Sequence, residues 1–198
     1  MSAAHARVRE LYDRGHAEGT SPNVWLDPRI EAIAEFRPAA VLIAFTEREE
    51  PGMLLLHRPS TMRAHPGQVA FPGGKRDPGE TPEEAALRET HEELGIAPRE
   101  ISIIGKSDVY RTGSGYEITP VVATVRADVP IRPNPAEVAD WFEAPAAFVL
   151  DEANHRTREV DYRGARHAFN EIVWEGHRIW GVTGAIVSNL AKRLAWHG

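Results

Sequence analysis

The sequence predicts a mixed α/β or α+β sandwich rather than a parallel doubly wound sheet. Two observations lead there: most of the chain reads as short apolar runs bounded by turn residues, and clear helical patterns are confined to one central and one terminal segment, apart from a weak one at the start. At 198 residues with 42% hydrophobic content, the chain suits one domain with a terminal elaboration and can bury one substantial core.

The elements follow in order. Ala3, Ala6, Val8 and Leu11 fall at helical spacing, a weakly amphipathic helix inside an N-terminal extension of residues 1–36 that is expected to pack on the domain formed by residues 37–198. AAVLIAF (39–45) and MLLLHR (53–58) read as strands joined by the polar turn TEREEPG, and QVAF (68–71) as a third. Prolines and a glycine make PSTMRAHPG (59–67) a loop. The clearest helix is 82–94: Thr81 is a good N-cap, Pro82 suits the first helical position, Glu84 completes a capping box and Gly95 is placed to stop it. ISIIGKSDVYR (101–111) and YEITPVVATV (116–125) read as strands around TGSG, with Pro120 arguing for an edge or a bulge. Residues 133–154 read as a turn and a short amphipathic helix near 145–150, REVDYRG and AFNEIVWEGHRIW as late strands turning at EGHR, and VTGAIVSNLAKRLAW as a closing helix.

Composition narrows the function. A formal net charge of −6 argues against nucleic-acid binding through a broad basic surface, which depends on neutralising many phosphates. The absence of cysteine removes disulfides, thiolate catalysis and thiolate metal sites. The N-terminal residues lack the apolar core of a signal peptide, and the longest apolar run, Ala39–Phe45, is too short to span a bilayer. The expectation is a cytoplasmic protein with no membrane or nucleic-acid partner. A local cationic region stands out, since residues 51–76 contain no acid but include Arg58, Arg63, Lys75, Arg76, His57 and His65.

The central helix carries the chemistry. At 100° per residue Glu89, Glu92 and Glu93 fall on one side, and Ala86, Leu87, Thr90 and Leu94 on another. Like charges at i, i+3 and i+4 repel by a few tenths of a kcal/mol per pair, so a counter-charge is expected beside them. Arg88 supplies one, and a hard divalent cation such as Mg²⁺, which binds carboxylates together with substrate phosphates, suits the oxygens better. His91 projects away and reads as an ordinary surface histidine.

With Gly74 and Glu80 the pattern extends to G-x₅-E-x₇-R-E-U-x-E-E-x-G-U, as GKRDPGETPEEAALRETHEELGI. Seven fixed identities at usual residue frequencies coincide by chance about once in 10⁸ to 10⁹ starts. The segment resembles the Nudix box, with Thr90 in place of its first aliphatic residue. The resemblance implies an α/β/α sandwich with a mixed sheet and a loop-helix-loop catalytic motif that holds Mg²⁺ or Mn²⁺ against a diphosphate. By the same resemblance Glu89, Glu92, Glu93 and the Gly73 carbonyl are metal ligands, and Glu89 or Glu93 is a candidate base. Arg88 orients the carboxylates and Glu80 supports the loop. A later carboxylate is expected from Glu137, with Glu143 as rival.

Upstream, LLLHRPSTMRAHPGQVAFPGG (54–74) resembles the motif of the coenzyme A pyrophosphatase branch at Leu54, Leu55, Arg58, Arg63, Gly67, Phe71, Pro72, Gly73 and Gly74, departing at Leu56 and Pro59. NPAEVADWFEAPAAFVLDEAN and IWGVTGAI are similar to that branch too. This implies a small-molecule substrate, coenzyme A or acyl-coenzyme A, cleaved to 4′-phosphopantetheine (or its acyl form) and adenosine 3′,5′-diphosphate, with Arg58 and Arg63 donating hydrogen bonds to its phosphates; a homodimer is compatible with it. Two alternatives stay open: a diphosphatase for ADP-ribose, dinucleotides or nucleoside triphosphates, and a nucleotide sensor without catalysis.

Overall fold

A computed structural model describes residues 2–17, 30–31, 33–61, 66–162 and 165–196; Arg63 and His65 lie outside the described residues. Helix α1 (Ala3–Gly15) is followed by β1 (Arg37–Thr46), β2 (Gly52–His57), β3 (Val69–Ala70), β4 (Gly73–Lys75) and helix α2 (Pro82–Leu94). Then come β5 (Ile101–Lys106), β6 (Tyr110–Arg111), β7 (Tyr116–Val125), β8 (Asp140–Pro145), the single turn α3 (Ala146–Val149), β9 (Arg156–Tyr162), β10 (Ala165–Trp174), β11 (His177–Ile179) and helix α4 (Gly181–Leu194). The main sheet runs β3-β2-β1-β7-β5, with β4 on β1, β6 on β7 and β8 on β2. It is mixed, because β1 and β7 are parallel while the other pairs are antiparallel. Strands β9, β10 and β11 form a separate antiparallel sheet.

Strand β1 is almost continuously apolar because both of its faces are covered. Ala40, Leu42 and Ala44 pack with Ala85, Ala86 and Leu94 of α2, whereas Ile43 and Phe45 pack with Val8 and Leu11 of α1 and Val187, Leu190 and Leu194 of α4. The result is an α/β/α sandwich with a mixed sheet. Each fully buried Leu or Phe contributes about 1.5–3 kcal/mol, so these two layers carry most of the stability. Helix α1 is also pinned by polar contacts: Tyr12 donates to the Lys106 carbonyl, and Arg193, bidentate on Asp108 at 2.6 and 2.8 Å, donates to the Gly15 carbonyl. No helix among the described residues is long and apolar enough to cross a membrane.

Two sequence expectations need correction. Pro120 lies in an interior strand, between β1 and β5, so of the edge or bulge expected there the edge is wrong, while the β5 ladder shifts register between Ile103 and Gly105 close to the proline. Its missing N–H falls beside the break between β5 and β6, where its carbonyl accepts from the Ser107 N–H at 2.9 Å, so the neighbouring ladder is interrupted where the proline stands. Asp140–Pro145, expected largely as part of a turn, is a strand paired along β2. The period of two shows only in buried Phe142 and Ala144, while the short helix expected near 145–150 is present as α3.

Candidate functional site

The site begins with the start and stop of α2. The Thr81 hydroxyl accepts from the Glu84 N–H at 3.2 Å, and the Glu84 carboxylate accepts from the Thr81 N–H at 2.8 Å, a complete capping box. Gly95, at φ 68°, closes the helix in the left-handed conformation. Thr90 is fully buried on the packed face and donates its hydroxyl to the Ala86 carbonyl at 2.6 Å, which is how a polar residue occupies a position suited to an aliphatic one.

Arg88 organises the polar side. Its guanidinium bonds Glu80 bidentately at 2.9 and 3.1 Å, the Lys75 carbonyl at 2.9 Å, Glu89 at 2.9 Å and Glu92 at 3.2 Å. These hydrogen bonds to Glu80 hold its carboxyl below the usual carboxylate range. Glu80 also accepts from the Asp77 N–H at 2.9 Å, and its carbonyl accepts from Arg76 at 2.9 Å. The loop from Lys75 to Glu80 is thus tied to α2 through one arginine. Glu80 has no wall of the cavity described next, and His91 is exposed on the opposite side of α2.

Glu89, Glu93 and Glu137 face a common cavity of about 750 Å³, within the range of small-molecule sites. Glu93 is 4% exposed and accepts from the Gly73 N–H at 2.9 Å. Burial pushes its carboxyl up to about 8; the Gly73 bond and the charge of Arg58 oppose this, and Glu89 and Glu137 add to it. Burial also raises Glu89, with Glu92 and Glu137 reinforcing and Arg88 opposing. The glycines make this approach possible. A Cβ on Gly73 (φ 153°) would lie 2.3 Å from the Ala40 carbonyl oxygen, and one on Gly74 would lie 2.4 Å from the Glu89 carboxylate.

Glu92 is 46% exposed at its side chain, turned to Arg88, and is not in the cavity wall. Glu143 is on β8, bonded to Thr46 at 2.6 Å and Arg48 at 2.9 Å, away from the cavity, so of the two later acids only Glu137 faces the other carboxylates. Among the described residues no three His, Asp or Glu side chains converge tightly enough to ligate one ion as they stand. The donors are hard carboxylate oxygens, and Arg88 holds two of them, Glu89 and Glu92. Release of those bonds would free their oxygens for a divalent ion.

Arg58, half-buried, reaches the same cavity, and its Nε is enclosed without a hydrogen-bond partner. Sequence reasoning missed the rest of the wall. Arg37, Ala39 and Val41 of β1 and Tyr116 and Ile118 of β7 form its floor, and Val182, Thr183 and Ile186 of α4 cover it. Alternation along each strand could have grouped the floor residues, but the parallel register Arg37↔Tyr116 and Ala39↔Ile118, which joins the two groups, leaves no local signal. Thr183 ties α4 down by donating to the Val69 carbonyl at 2.9 Å.

The family model for the NUDIX domain matches residues 35–164. The proteins named uncharacterized Nudix hydrolase NudL from Yersinia pestis (strain Pestoides F) and Yersinia pseudotuberculosis serotype O:1b (strain IP 31758) are each 38% identical over 160 residues, covering 80% of this chain and 80% of theirs. Among solved structures, RenU, a Nudix hydrolase from M. smegmatis, is 27% identical with a TM-score of 0.50, over 58% of this chain and 74% of that one.

Proposed function

The chain belongs to the Nudix hydrolase family, and on that premise we propose that it hydrolyses the diphosphate of coenzyme A or acyl-coenzyme A. Water adds to one phosphorus, the P–O–P bond breaks, and 4′-phosphopantetheine (or its acyl form) and adenosine 3′,5′-diphosphate leave. One observation carries the reading: a single cavity joins the Glu89 and Glu93 wall, from the Nudix box, to Arg58, from the upstream motif. A diphosphate linked to a further phosphate needs both signs of charge in one site, carboxylates for its metals and guanidinium groups for its oxygens.

The residue roles are those that the two motifs imply. Glu89, Glu92 and Glu93 with the Gly73 main chain hold Mg²⁺ or Mn²⁺, which when bound neutralises charge on the reacting phosphate and lowers the proton affinity of water. Glu89 or Glu93 accepts the proton of the attacking water, since both face the cavity. Arg88 aligns Glu89 and Glu92 through the bonds it makes to each, and Glu80 keeps Arg88 and the loop in place. Glu137 completes the acidic wall. Arg58 and Arg63 bind substrate phosphate, and residues 37–198 make up the hydrolase domain with 1–36 as an extension.

The test is a panel of coenzyme A, acetyl-coenzyme A, ADP-ribose, NADH and dinucleoside polyphosphates, compared by kcat/KM with products identified by mass. Coenzyme A or its acyl form is expected to lead the panel. Efficient cleavage of ADP-ribose with coenzyme A left intact would show that the substrate is misassigned while the diphosphatase chemistry stands.

A further inference from the structure

We propose that the end of the cavity remote from Glu93 is a subsite for a second, monoester phosphate of the substrate, and that Arg37 is the residue that recognises it. The inference rests on the coenzyme A reading, which supplies the ligand class: a nucleotide bearing a phosphate apart from its diphosphate.

The sheet register sets the two ends. Val41 stands opposite Gly73, whose N–H holds Glu93, and Arg37 lies four residues back along the same face of β1. At the rise of a strand that is about 13 Å. Lys75, opposite Ala39 and on the same face, adds a second cation to the remote end. Arg58 belongs to the other end, where its charge acts on Glu93.

Arg37 is held in one pose. Its guanidinium lies 4.1 Å from the Tyr116 ring centroid, and Nη2 donates to the Ser114 carbonyl at 3.0 Å. Among the described residues it has no ion pair, and Nε and Nη1 have no hydrogen-bond partner. An arginine fixed at one edge by a carbonyl and on one face by a ring, with its other donors open at the rim of a cavity, presents a fork matched to phosphate oxygens. Arg37 is exposed at the cavity rim, and Ile118, Val182 and Ile186 form an apolar part of the same wall. A purely structural reading, in which Arg37 only pins the 112–115 turn, gives no reason for a preference between ligands that differ by one phosphate.

The experiment titrates the protein in Mg²⁺ with adenosine 3′,5′-bisphosphate and with adenosine 5′-monophosphate. Neither has a P–O–P bond, so calorimetry reads binding alone. The wild type is expected to favour the bisphosphate by about ten- to a hundredfold, the scale of a charge-assisted contact. Arg37→Ala should bring the ratio to within about threefold of one. Tyr116→Leu, which removes the ring under the guanidinium, should lower it in part, and Tyr116→Phe should retain it. A wild-type ratio near one, or a high ratio that survives Arg37→Ala in a folded variant, overturns the proposal. A high, Arg37-dependent ratio in a protein that leaves coenzyme A intact supports the subsite and refutes the substrate. Coenzyme A cleavage with a ratio near one does the reverse.

Discussion

At the scale of single residues, Glu93 carries two opposed demands. Its carboxyl is buried and pushed up to about 8 from an ordinary 4.5. Between those values the unfolded chain has lost this proton while the folded, metal-free chain keeps it, so stability falls as pH rises through the window and the loss is complete above 8. Glu93→Gln removes that loss. Thermal melts in EDTA should find it more stable than the wild type at pH 8 and no more stable at pH 4.5. Its kcat with Mg²⁺ should nonetheless fall about a hundredfold or more. Equal melts at pH 8 would contradict the burial argument. Glu80→Gln should behave oppositely, because Glu80 meets Arg88 rather than the cavity. It should cost less in kcat and more in melting temperature, and equal activity losses with unchanged stability would place Glu80 at the reacting phosphate instead. The acids were legible because their spacing on one helix is local information. Arg37 and Tyr116 were not, since they meet only through a parallel pairing across about 80 residues of chain, a register that neither segment encodes by itself.

At the scale of elements, α2 is the part most completely readable from sequence, and its capping box is its least replaceable local device. Thr81→Ala should destabilise the protein by about 1 kcal/mol, measured by urea denaturation, by leaving the Glu84 N–H without its acceptor. Its kcat should change little, since Thr81 is outside the cavity wall; a hundredfold loss of kcat in a folded variant would mean that the cap also sets the pose of the acids. Strand β8 shows where sequence reading stops. Its six residues are too few to reveal period two, and the prolines around it, Pro133, Pro135 and Pro145, point to a turn. Only pairing along β2 decides it. Pro120 teaches the complementary point: whether a proline is tolerated depends on the neighbouring strand, which here is broken beside it.

At the scale of the whole molecule, the sandwich puts the acids of α2 and the cavity under α4 on opposite layers of one sheet, and brings them together through the Gly73–Gly74 strand β4. That strand lies against β1 closely enough that Gly73 admits no side chain. The cavity has Glu89, Glu93 and Arg58 toward one end and Arg37 and Lys75 toward the other, and the reaction proposed for it is metal-dependent cleavage of a diphosphate. The most direct measurement is incubation of the protein with coenzyme A in ¹⁸O-labelled water, with Mg²⁺ or Mn²⁺ and in parallel with EDTA, followed by mass analysis. The expected products are 4′-phosphopantetheine and adenosine 3′,5′-diphosphate, with one label per turnover in a phosphate group of one product, and no cleavage in EDTA. Undiminished cleavage by metal-stripped protein in EDTA, or label appearing in neither phosphate product, would contradict it.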